Sequence, residues 1–148
     1  MILTSVLMST MILVAGDRPS DDAAKKDSQA MQGDWVLQSG EIKGGNKIPE
    51  QAAKTYRKSV QGNKYTVSFE TEEGARSIGG TVTLDPAQNP KALDVVISDG
   101  DNKGQKMMGI YKIEGDTHTI CAAPPGEKRP TAFDSQQGTL IVWKRVKK

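Results

Sequence analysis

Little in this chain offers ready-made chemistry. Its 148 residues include one cysteine and one histidine, only 5% are aromatic, and 20 basic side chains face 18 acidic ones. A lone cysteine excludes an intrachain disulfide, so a packed core has to supply the stability. One histidine and one cysteine cannot build a zinc site, which needs three or four such ligands. A net charge of +2 lacks the basic excess of a nucleic-acid or anionic-membrane binder. No apolar run reaches the roughly 20 residues of a spanning helix. The G-x-S-x-G elbow, the Walker-type loop and the G-x-G-x-x-G loop are all absent, and with them the usual signatures of those nucleophile, nucleotide and dinucleotide sites. No cofactor is expected.

What is present is turn residues and short alternating segments. Fifteen glycines and seven prolines punctuate stretches rich in Val, Thr, Ile and Tyr, the pattern of many strands joined by short turns. In "KYTVSFE", Tyr65, Val67 and Phe69 share one face and Lys64, Thr66, Ser68 and Glu70 the other, a clean period of two. "SIGGTVTL" repeats it with Ile78, Val82 and Leu84 inward, and Gly80 allows a bend or close packing. "KALDVVI" adds Leu93, Val95 and Ile97. With "DWVLQS", "YRKSVQG", "KMMGIYKIE", "THTICA" and "TLIVWKRV", the total is about eight strands, which predicts an all-β fold, an up-and-down antiparallel barrel or a sandwich. Only "IPEQAAKTYRK" reads as helical, for a turn or two, with Pro49 as initiator.

The first sixteen residues differ from the rest. "MILTSVLMSTMILVAG" is uncharged, apolar and too short to span a bilayer, with small residues at its end, and a polar run follows. It reads as a secretory signal over 1–16, although the usual basic n-region is missing; a buried N-terminal strand is the alternative. Asp17 stands where a lipid anchor would need cysteine. Residues 17–30 read as a disordered linker and 31–148 as the folded domain. The expected mature protein is soluble, free of any membrane span after cleavage, and exported to the periplasm or beyond.

The obvious reactive candidates fail on geometry. His118 and Cys121 lie three apart on one strand, so they point to opposite faces and cannot form a nucleophile–base dyad. The "DGDNKG" turn, Asp99 to Gly104, begins like a calcium loop, but Lys103 and Ile110 occupy ligand positions; a solvated hairpin turn explains it. Asp94 and Glu114 could in principle work as an acid–base pair, yet nothing in their spacing singles them out. No catalytic residue and no metal ligand is assigned.

Gly33-Asp34-Trp35 at the start of the first strand, with Lys144 and Arg145 near the end of the last, resembles the G-x-W and late cation of lipocalin-type barrels. There the first and last strands are neighbours and a cation covers the indole; Arg145 is preferred, as a guanidinium stacks better than an ammonium. Over residues 31–148, "MQGDWVLQSGEIKGGNKIPE", "GNKYTVSF", the run from "GTVTLDP" to "KRPTAF", and "LIVWKRVKK" resemble an uncharacterised lipocalin-like domain family abundant in Planctomycetes. Gly109–Tyr111 and Ala123–Pro130 are the most specific parts. The resemblance implies an eight-stranded barrel and export but no activity, and an apolar residue usually stands where His118 does. A barrel of this size is either filled or holds one small apolar ligand. The candidate lining is Tyr65, Val67, Phe69, Val82, Leu93, Val95, Tyr111 and His118, with Trp35 and Arg145 closing one end. The second reading is a filled interaction domain that meets another exported protein through "PPGEKRP".

Overall fold

A computed structural model describes residues 19–147; the segment read as a signal lies outside them. The elements run α1 (Pro19–Met31), β1 (Gly33–Ile42), β2 (Asn46–Lys47), α2 (Glu50–Ala53), β3 (Arg57–Gln61), β4 (Lys64–Thr71), β5 (Gly74–Asp85), β6 (Ala92–Ile97), β7 (Lys106–Glu114), β8 (Thr117–Ala122) and β9 (Thr139–Arg145). Each strand from β3 to β9 pairs antiparallel with the next, β1 pairs with β3, and β1 also pairs with β9. That last pairing closes an eight-stranded up-and-down barrel and leaves no free edge in it. The two-residue β2 is an appendage on the end of β1.

The period of two seen in the sequence sorts side chains between the interior and the outside. Tyr65 is opposite Gly80, which is in turn opposite Ile97, and Val67 is opposite Ile78. Gly80 is required sterically: a Cβ there would come within 2.7 Å of the Tyr65 ring and 2.6 Å of the Val96 carbonyl oxygen. Ile78 is on the predicted face but is 43% exposed, because it sits near the β4–β5 turn where the barrel opens.

The linker expected over 17–30 is a correction: from Pro19 onward it is helical. Its sequence is polar, but Ala24, Asp27 and Met31 recur at helical spacing, and Asp21 and Asp22 occupy the first turn, where negative charge suits the helix dipole. Tertiary anchors hold the helix across one end of the barrel. Asp27 Oδ2 accepts hydrogen bonds from Tyr111 Oη at 2.8 Å and Lys91 Nζ at 2.9 Å. At the C-terminal end of α1, Arg145 donates to the carbonyl oxygens of Gln32, at 2.6 Å, and Ala30.

A second, smaller apolar cluster lies outside the barrel wall. Ala92, Ile110 and Cys121 face outward yet are buried, beneath the long connection between β8 and β9 that contributes buried Ala123 and Pro130. Arg129 fastens this strap, donating to the carbonyl oxygens of Leu93 and Gly109, both at 2.8 Å, and to Asp94 Oδ1 at 2.6 Å.

Candidate functional site

The interior holds a cavity of about 130 Å³. Five of the eight candidate lining residues form part of its wall: Tyr65, Val67, Val82, Leu93 and Val95. Met107, Ile120, Ile141 and Val60 complete the sides, and Met31, Trp143 and Lys58 stand at the end closed by α1. Tyr65 and Met107 also line a cleft at the other end, together with Phe69, Arg76 and Ile78, so the cavity adjoins the open mouth.

Three candidates are placed elsewhere. Phe69 stacks on Tyr56 near the mouth, with ring centroids 4.9 Å apart. Tyr111 is on the inner face, but its hydroxyl is spent on Asp27; burial, then that carboxylate, pushes its pKa up. His118 is fully buried on the inner face and stands behind the cavity wall, against Lys58.

Lys58 is the buried interior residue that sequence reading missed. It is only 4% exposed. In β3 it lies opposite Trp35 on one side and Val67 on the other, so all three point inward. Its Nζ is 2.9 Å from His118 Nδ1, 5.2 Å from the centroid of Trp35 and 4.9 Å from that of Trp143. The indole faces offset part of the cost of burying a cation, but no carboxylate pairs with the amine among the described residues. Burial, and after it the charge of Arg145, holds the amine well below the ordinary lysine range. Burial, then the charges of Lys58 and Arg145, pulls His118 down to about 2, so the imidazole is neutral at pH 7. Its Nε2 is buried with no hydrogen-bond partner among the described residues.

The signal for Lys58 was the alternation itself. Val60 faces inward, and a period of two puts Lys58 on the same side.

Trp35 and Arg145 meet at the closed end. Trp35 is 0% exposed, its Nε1 donates to the Met31 carbonyl oxygen at 2.9 Å, and the Arg145 guanidinium lies 4.2 Å from its ring centroid. Alternation did not decide between Lys144 and Arg145; register does, because Arg145 is opposite Trp35 whereas Lys144 is opposite Val36.

The remaining polar candidates are occupied individually. Cys121 is buried on the outer face, its Sγ 3.5 Å from the Asp134 carbonyl oxygen, and burial raises its pKa. Asp94 binds Arg129 and Lys106, while Glu114 binds Lys112. Asp99 accepts a hydrogen bond from the Gly79 backbone N–H at 2.9 Å. In the "PPGEKRP" loop Arg129 is turned inward to fasten the strap, and Glu127 pairs with Lys43.

No family model matches the chain, and no curated protein does. Two solved structures are similar in shape. A lipocalin-like protein from Bacteroides uniformis covers 79% of this chain and 99% of its own, with a TM-score of 0.52 at 11% identity. An uncharacterized protein from Bacteroides eggerthii covers 78% and 98%, with a TM-score of 0.48 at 8% identity. At such identities the first likeness concerns the fold alone. The architecture is a lipocalin-like barrel.

Proposed function

We propose that this chain is an exported, non-catalytic binding protein that holds one small apolar ligand inside its barrel. The observation that carries the reading is the interior cavity, whose walls are aliphatic and aromatic except at Lys58. A dry apolar cavity of about 150 Å³ is enough to bind benzene, so the ligand size is about six non-hydrogen atoms. Export rests on the apolar segment 1–16 followed by a polar stretch, as in the Planctomycete family the sequence resembles. Among the described residues no helix is long and apolar enough to cross a membrane.

The test is a titration with benzene and with isoamyl alcohol, followed by methyl NMR. Shifts are expected at Val67, Val82, Leu93 and Val95, with a raised Tm, because a ligand that binds only the folded state stabilises it. Val95→Phe should fill the space and abolish the shifts while the barrel stays folded. Methyls that do not move in the wild-type protein would exclude an interior site.

A further inference from the structure

We infer that Lys58 is a reactive amine that captures a small apolar aldehyde as a reversible imine inside the barrel, an inference that rests on the interior being a ligand site. Lys58 is the only basic residue in the cavity wall, and it stands at the closed end, where a ligand entering from the mouth stops. Its nitrogen has no acidic partner among the described residues to hold it as an ammonium, and its neighbours are two indole rings and a neutral imidazole. A lysine desolvated in an apolar pocket, with another cation near it, is the arrangement that exposes a nucleophilic lone pair. Arg145, whose charge lowers the Lys58 pKa, is that cation.

The wall also selects the ligand class. A carboxylate would have to bring a full charge into aliphatic surroundings, at a desolvation cost that one amine does not offset. An aldehyde enters uncharged and needs only the nitrogen. The Lys58 nitrogen attacks the carbonyl carbon, a C–N bond forms and the C=O π pair moves to oxygen. One nitrogen proton passes to that oxygen by way of His118 Nδ1, 2.9 Å from the amine, and gives the carbinolamine. The second nitrogen proton passes to the carbinolamine hydroxyl, the C–O bond breaks, water leaves and the neutral C=N bond remains. No oxidant or reductant is needed, and hydrolysis reverses the step.

The probe is isovaleraldehyde, of about six non-hydrogen atoms to suit the space, carbon-13 labelled at its carbonyl. Isoamyl alcohol is its unreactive counterpart. The aldehyde should give an imine carbon resonance, and reduction with the small neutral reagent dimethylamine–borane at pH 7 should fix one adduct. Peptide mapping should find it at Lys58, formed at least about tenfold faster than at exposed lysines such as Lys103, since an ordinary lysine is almost wholly protonated at that pH. Lys58→Met should lose the adduct at that position. If the alcohol shifts the interior methyls but Lys58 is labelled no faster than Lys103, the imine is refuted and the binding site stands. If neither compound enters the interior, both readings fall. Mapping on the wild-type protein decides the matter even if the variant does not fold.

Discussion

Trp35→Ala should destabilise the protein by about 3–5 kcal/mol, the range for removing a fully buried large aromatic and leaving a cavity. The indole is packed against His118 and Arg145 and donates its N–H to the Met31 carbonyl oxygen, so truncation also frees the end of α1. Arg145→Ala should cost less, about 2–3 kcal/mol, mainly through charge-assisted hydrogen bonds to Gln32 and Ala30. Because the two side chains touch, a double-mutant cycle read by urea unfolding should show a coupling of at least about 0.5 kcal/mol. Strict additivity would mean that the cation over the ring contributes nothing to closing the barrel.

The second large effect has the opposite sign. Replacing both members of the buried basic pair, as Lys58→Met with His118→Leu, should stabilise the protein by about 1–3 kcal/mol at pH 7, because each is a polar base taken out of water on folding with incomplete hydrogen bonding to replace it. Lys58→Met alone should gain less, because it leaves the His118 ring nitrogens without partners, at a cost of about 1–3 kcal/mol. The pH dependence identifies the cause. Both pKa values are depressed on folding, so between the folded and unfolded values the unfolded chain binds a proton that the native state does not. For each such base stability rises with pH through that window, by about 1.4 kcal/mol per unit for one proton. For His118 the window runs from about 2 to 6.5; for Lys58 it ends at the ordinary lysine value of 10.5. Above about pH 9 the raised pKa values of Cys121, Tyr65 and Tyr111 oppose the gain. Urea midpoints from about pH 4.5 to about pH 8.5 should therefore climb in the wild-type protein and flatten in the double variant. A double variant that is less stable and keeps the slope would show that neither group is a desolvated base.

The barrel was legible in the sequence because alternation in half-buried strands is a local signal. Tyr65, Val67 and Phe69, then Val82 and Leu84, then Leu93, Val95 and Ile97 each mark a face without reference to the rest of the chain. Closure was legible for a different reason, since Gly33-Asp34-Trp35 and Arg145 sit at opposite ends of the sequence in a recognisable pattern. What the sequence concealed depends on long-range contacts. The α1 segment looks like a polar linker until Asp27 is seen against Tyr111 and Lys91, for a lone helix of this length is marginal in water. Lys58 was hidden by its own chemistry. A lysine on a strand reads as an outward residue despite its alternation with Val60, and the register that puts it beside Trp35 and Val67, with His118 across the interior, shows that it faces in. The hollow interior has no sequence signature, because the residues lining a cavity and those filling one are the same.

Diffraction from crystals under xenon pressure tests the hollow interior directly, since xenon enters apolar cavities and reports their boundaries. A xenon atom is expected among Val67, Val82, Leu93, Val95 and Ile120, and its site should disappear in Val95→Phe. Side chains closed over that position, with no xenon inside the barrel at full pressure, would contradict the ligand site and leave a filled barrel in its place.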